Sequence, residues 1–125
     1  MSQHNSGFLT LVNEAKKNVK ELTVSDVAEK FKRGEKFIFI DVREDDEWKA
    51  GYAEGAIHLG KGVIECFIES EIPQKDSELV LYCGGGFRSA LAAEALQKMG
   101  YTHVASMDGG IKGWRAAGLP EVKSK

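Results

Sequence analysis

Apolar positions in this chain fall into two spacings that take turns along its length. Unbroken apolar runs at 37–40 and 79–82 predict strands buried on both faces. Shorter strand-like segments stand at 19–22, 56–59 and 103–106. Between them come stretches with helical spacing. Thr23 opens Thr-Val-Ser-Asp, a capping-box variant with an acidic third helical position, and a helix running to about Lys32 before Gly34. A charged helix at 44–49 is closed by Gly51, and Val63, Ile64, Phe67 and Ile68 make a helical face that ends before Pro73. An Ala- and Leu-rich helix at 89–99 is stopped by Gly100, and a last helix at 111–117 by Gly118. Apolar strands alternating with helices predict an α/β domain: a central parallel sheet of about five strands, flanked by helices.

Two segments lie outside this alternation. Phe8, Leu11, Val12, Ala15 and Val19 are spaced as one face of an extra N-terminal amphipathic helix. Its expected role is packing against the body, the alternative being a dimer or partner contact. Residues 121–125 are polar and expected to fray. The domain reading is therefore 1–18 as a helical extension, 19–120 as the α/β domain and 121–125 as a tail.

Composition narrows the function. The chain has 125 residues, the size of one domain, and no internal repeat. Its 17 basic and 19 acidic residues give a net charge of −2, so no basic excess favours nucleic acid or an anionic membrane. No apolar run approaches the ~20 residues of a membrane span. The first residues lack a basic stretch followed by an apolar one, so no secretory signal is expected. Cys66 and Cys83 cannot make a disulfide framework, and a reducing cytoplasm is the expected compartment. Glycine is the outlier, at 14 residues, and three sit together at Gly84, Gly85 and Gly86.

Those glycines follow a buried strand that delivers Cys83 to the edge of the sheet, where α/β proteins gather their ligands. Without side chains, the loop backbone is free to take positive φ, turn sharply and point successive N–H groups inward as an anion nest. The helix from Ser89 aims its positive end at the same place, and Arg88 adds a full cation. Each feature favours thiolate over thiol, which makes Cys83 a candidate nucleophile with an anionic product. The bland alternative is a buried, inert cysteine. Three other patterns fail on inspection. Gly55 to Lys61 fits a phosphate-loop spacing, but Gly62 stands where a magnesium-holding hydroxyl would be needed. Gly84-x-Gly86 lacks the third glycine of a dinucleotide fingerprint, Ser89 taking its place. His4, His58, His103, Cys66 and Cys83 show no metal-ligand spacing, so no metal is expected.

The segment Cys83-Gly84-Gly85-Gly86-Phe87-Arg88-Ser89 resembles the active-site loop of single-domain rhodaneses, sulfurtransferases that carry sulfane sulfur as a cysteine persulfide. Asp41-Val42-Arg43, Glu47-Trp48, Gly51 and Gly55-Ala56-Ile57-His58 look like that family's first signature. Asp108-Gly109-Gly110, with Trp114, Gly118 and Pro120, looks like its C-terminal signature. The resemblance spans about Val19 to Pro120. It departs from the family at Tyr52, where His is usual, and at Gly60, where Pro often stands and which Lys61 and Gly62 follow, changes that bear on the rim of the site.

The resemblance implies a rhodanese-like fold and an enzyme. Sulfur would pass from thiosulfate or another persulfide donor to a thiol or cyanide through a Cys83 persulfide. It implies no metal or organic cofactor, small-molecule donor and thiol acceptor substrates, and a sulfur-accepting protein as a further candidate partner. The alternatives are a sulfur-relay module serving a partner protein, with the N-terminal helix as docking surface, and a small phosphatase or arsenate reductase. The last two use Cys-x₅-Arg, whereas Cys83 to Arg88 is the shorter Cys-x₄-Arg. The sequence does not name the donor, the acceptor or the oligomeric state.

Supporting residues have two readings each. Asp41 either hydrogen-bonds the loop amides or Arg88, or caps the next helix. Arg43 and Glu47 stand at i, i+4, an ordinary helix-surface ion pair, with a brace near the site implied by the resemblance. Ser89 is expected to cap its helix, the alternative being a hydroxyl that reaches the persulfide. Phe87 is placed to shield one side of the pocket. Trp48 and Trp114 are expected to pack, and His58 to be structural. Glu44 to Glu47 reads as a solvated first helical turn. Cys66 lies off the apolar face of its helix; a resolving disulfide with Cys83 is its alternative role, although nothing in the sequence brings the two thiols together.

Overall fold

The computed structural model describes residues 4–123. Five parallel strands form the sheet: β1 (Lys20–Leu22), β2 (Ile38–Asp41), β4 (Ala56–His58), β5 (Glu78–Tyr82) and β6 (His103–Met107). Their order is β1-β6-β5-β2-β4, which puts β5 in the middle. The register pairs Val80 with Phe39 on one side and with Ala105 on the other. Among the described residues the six helices are α1 (Ser6–Asn18), α2 (Val24–Lys32), α3 (Asp45–Ala50), α4 (Ile64–Glu71), α5 (Phe87–Lys98) and α6 (Gly110–Ala116).

The pleat divides the core in two. Successive strand residues point to opposite faces. Ile40, Leu79 and Leu81 therefore pack with Ile64 and Ile68 of α4 and with Ala90, Ala93 and Leu96 of α5. Phe39, Val80 and Tyr82 pack on the other face with Val27 of α2 and with Ile111 and Trp114 of α6. Both faces are covered, which is why the central strands are continuous apolar runs. α1 lies against α5 and buries Val12 and Ala15, the packing role expected of it. The capping box at Thr23 forms in both directions, with Asp26 N donating to Thr23 Oγ1 at 3.0 Å and Thr23 N to Asp26 Oδ2 at 2.9 Å.

Two expectations need correction. Glu121–Val122 do not fray: they form β7, antiparallel to β3 (Tyr52–Ala53). The β3–β7 ribbon is too short to show as a hydrophobic pattern, and residues 124 and 125 lie outside the described residues. Helix α5 begins at Phe87 rather than Ser89, because Gly86 takes the N-cap position at φ 107°. Among the described residues, no helix is long and apolar enough to cross a membrane.

Candidate active site

Cys83 follows directly on the last residue of the central strand and is 1% exposed. Its Sγ accepts hydrogen bonds from Gly86 N at 3.1 Å and Ser89 N at 3.4 Å. Ser89 N belongs to the first turn of α5, where amides have no partner within the helix, so the sulfur takes up donors that the helix leaves free. Of the three loop glycines only Gly86 has positive φ. The sharp turn predicted for the whole run is thus made at one residue, against the backbone of Asp108 and Gly109.

The loop's carbonyls are tied down from the other side. Ile111 N donates to Cys83 O at 2.9 Å, Lys112 N to Gly84 O at 3.1 Å and Gly109 N to Gly85 O at 3.2 Å. The N-terminus of α6 thus holds three consecutive carbonyls outward, and the amides are left for the sulfur. Gly110 sits at this contact with φ 53°, and a Cβ there would lie 2.6 Å from the carbonyl carbon of Gly84. This gives Asp108-Gly109-Gly110 its physical reason.

Ser89 is buried, but not as a cap. Its Oγ shares a 2.8 Å hydrogen bond with Ser106 Oγ and lies 3.5 Å from Cys83 Sγ. Ser106, on the neighbouring strand β6, had no signal in the sequence.

The charged residues pair differently from expectation. Arg88 donates to Glu47, Nη1 to Oε1 at 2.7 Å and Nη2 to Oε2 at 3.1 Å. That bond holds the Glu47 carboxyl below its ordinary range and the guanidinium above its own. Glu47 is not a merely solvated helix residue: it also accepts from Glu44 N at 3.0 Å, closing the capping box of α3. Arg43 is not its helix-surface partner. Arg43 is buried and donates to Asp41 through Nε at 3.1 Å and Nη2 at 2.8 Å, and to Gly51 O at 2.6 Å. Burial opposes the Arg43 charge, and the hydrogen bonds and charge of Asp41 more than offset it, leaving its pKa raised.

Asp41 follows neither of its two readings. It bonds neither the loop nor Arg88, and it caps no helix. It accepts from Arg43 N at 2.9 Å, from the Arg43 guanidinium and from Tyr82 Oη at 2.7 Å. Tyr82 Oη in turn accepts from Ala53 N at 3.0 Å. Burial and the Asp41 charge push the Tyr82 hydroxyl upward, so it stays a donor. The Asp41–Tyr82 hydrogen bond ties the last residue of β2 to the last residue of β5, the one before Cys83. Beside it, Trp48 stacks between Tyr52 (centroids 3.6 Å) and His58 (4.9 Å), and His58 Nε2 lies 2.8 Å from Arg43 O.

A family model for the rhodanese-like domain matches residues 23–117. The chain belongs to the rhodanese-like family. A sulfurtransferase of Allochromatium vinosum is 34% identical to it over 104 residues, covering 83% of this chain and 95% of that one. The thiosulfate sulfurtransferase PspE of Escherichia coli is 34% identical over 85 residues, 68% of this chain and 78% of the relative. A Rhodopseudomonas palustris structure, named as a protein of unknown function and "Possible Tyrosine Phosphatase", superposes with a TM-score of 0.82 at 34% identity. That superposition covers 96% of this chain and 98% of the other.

Within this rhodanese-like domain, Cys83, Gly84, Gly85, Phe87 and Arg88 line one cavity of about 510 Å³ together with Glu47 and Lys112. His4 and Phe8 line it as well, from outside the matched residues. Cys66 is exposed on α4.

Proposed function

We propose that this protein is a sulfurtransferase in which Cys83 carries the sulfur. The Cys83 thiolate attacks the outer sulfur of a donor such as thiosulfate. The new bond joins the two sulfurs, the donor's sulfur–sulfur bond breaks, and sulfite leaves with the electron pair. The Cys83 persulfide anion is then attacked at its outer sulfur by a thiolate or cyanide, which departs with that sulfur and regenerates the Cys83 thiolate. Each half is a displacement at sulfur, and the cycle is ping-pong.

The observation that carries the reading is the pair of amides, Gly86 N and Ser89 N, aimed at a sulfur at the end of the central strand. Fixed donors of this kind stabilise a sulfur anion without reorganising during the reaction. The named relatives agree with sulfur chemistry. Arg88, paired to Glu47, acts as a brace that sets the loop, and Asp41 with Arg43 braces the strand ends behind it.

The neighbour from Rhodopseudomonas palustris gives specific ground for a second reading, a phosphatase. Against it stands the loop: Cys83 to Arg88 has four residues between them, one fewer than the phosphatase pattern, and so encloses less room for a tetrahedral oxyanion. Intact mass spectrometry after exposure to thiosulfate separates the two. A gain of one sulfur atom, mapped to Cys83 and absent in Cys83→Ser, supports sulfur transfer. Hydrolysis of an aryl phosphate by the unmodified protein, lost in Cys83→Ser, with no sulfur adduct, overturns it.

A further inference from the structure

The cavity over Cys83 has a wall that the rhodanese-like match does not supply. His4 and Phe8 come from the N-terminal segment, ahead of residues 23–117. Their rings pack with Phe87 of the loop: His4 to Phe87 at 4.8 Å, His4 to Phe8 at 5.2 Å and Phe8 to Phe87 at 6.2 Å. All three pairs are tilted, with centroid separations inside the roughly 4.5–7 Å range of aromatic contacts. Lys16, two helical turns beyond Phe8, sets its ammonium 5.0 Å from the Phe87 centroid, a cation–π contact that ties this ring to α1 as well. Helix α1 is itself fixed on α5 through Val12 and Ala15, so these aromatic groups stand on a packed element.

The charges in the cavity are few. Arg88 is neutralised by the carboxylate of Glu47. Lys112 lines the same cavity and makes no ion pair among the described residues, while its backbone is anchored to Gly84 O. Among the described residues, one uncompensated cation is thus available to a ligand. A volume of about 510 Å³ is that of an ordinary small-molecule pocket and exceeds the needs of one inorganic oxyanion.

The structure assigns His4 and Phe8 as specificity-determining residues of this site: with Phe87 they select a sulfur donor bearing one negative charge on an apolar or aromatic body. The inference rests on the reading that Cys83 accepts sulfane sulfur. An aryl thiosulfonate is the simplest molecule of this class. Its outer sulfur passes to the Cys83 thiolate, the bond between its two sulfurs breaks, and the aryl sulfinate leaves with the electron pair. Charge is conserved, because a monoanion and a thiolate become a monoanion and a persulfide anion. Thiosulfate brings two charges and no apolar body, and the aromatic wall offers it nothing.

The test is steady-state transfer to cyanide by the full chain, with benzenethiosulfonate and thiosulfate as donors. The wild-type protein should show the higher kcat/KM for benzenethiosulfonate. Phe8→Ala should cut that preference about tenfold, the effect appearing in donor KM, because one aromatic contact is lost. His4→Ala, ahead of the first turn of α1, should cut it in the same direction and carries the test should Phe8→Ala fail to fold. Leu11→Ala, on the exposed side of α1, should leave the preference where it is. A folded Phe8→Ala or His4→Ala with the wild-type preference overturns the inference, as does a wild-type preference for thiosulfate. Absence of transfer from both donors in the wild type overturns the sulfurtransferase reading itself.

Discussion

Arg88 and Glu47 hold each other through two parallel hydrogen bonds of 2.7 and 3.1 Å, joining the first turn of α5 to the first turn of α3. Both side chains are about one-third exposed. The pair therefore acts by position more than by raw stabilisation. Its charge is directed at Glu47, and the backbone supplies the donors to the sulfur.

Glu47→Gln should lower stability at neutral pH by no more than ~1 kcal/mol, the usual worth of a partly exposed pair. The sign of its pH dependence follows from the lowered carboxyl. A depressed folded value contributes stability that is present above the ordinary value of 4.5 and lost as pH falls through the folded one. Denaturant melts of wild type and Glu47→Gln should therefore stay separated at neutral pH and converge in acid. A gap that widens on acidification would mean that Glu47 does not stabilise through its charge.

Asp41→Asn should be far more damaging. Asp41 is fully buried and Arg43 is 3% exposed, so the variant leaves a guanidinium inside the protein without its counter-charge. Breaking such a pair costs about 3–5 kcal/mol. A shift in the denaturant midpoint worth less than about 1 kcal/mol would show that Arg43 reaches water more easily than its burial implies.

Ser89→Ala separates a cap from a sulfur contact. A lost cap would weaken α5 by about 1 kcal/mol and leave the chemistry intact. Ser89 instead faces Ser106 and the Cys83 sulfur. The expected outcome is slower persulfide formation, roughly threefold to tenfold for a hydrogen bond worth ~1 kcal/mol. Stopped-flow loss of free thiol on mixing with donor measures it. An unchanged rate with a lower melting point would restore the cap.

What could be read in advance divides by range. The alternation of apolar runs and helical faces gave the parallel sheet, because burial on both faces writes itself into consecutive residues such as Leu79 to Tyr82. The turn after Cys83 was legible because its strand end, its glycines and the start of α5 are consecutive residues. The partners of Asp41, Arg43, Glu47 and Arg88 were not. All four belong to pairs, and i, i+4 spacing suggested the wrong one: Arg88 finds Glu47 across 41 residues, while Arg43 turns back two residues to Asp41. Ser106 and Tyr82 were hidden in the same way, being polar tips inside strands that otherwise read as apolar. The wall made by His4 and Phe8 depends on how α1 docks on α5, which the amphipathic pattern does not specify. The Gly-Gly step at 109–110, part of the C-terminal signature, stands where the start of α6 presses against the backbone of the Cys83 loop.

That step supports the last prediction, Gly110→Ala. Gly110 has φ 53°, where a side chain costs about 1–2 kcal/mol. The added Cβ would also meet the carbonyl carbon of Gly84 at 2.6 Å, and a backbone atom cannot swing aside as a long side chain would. Either α6 moves off the loop or the loop moves off α6. Both break the hydrogen bonds that hold the carbonyls of Cys83, Gly84 and Gly85 outward, and the amides at Gly86 and Ser89 then lose their aim at Sγ. A displacement of about 1 Å at the reacting atoms can cost on the order of a hundredfold in rate. Turnover should therefore fall much further than stability, although α6 lies outside the Cys83–Ser89 segment. Gly85→Ala makes the comparison, since a Cβ there meets nothing within 4 Å and φ is not positive. It should lose less activity than Gly110→Ala despite lining the cavity. The reverse ranking, measured as initial rates on variants shown folded by their melts, would mean that α6 does not set the loop.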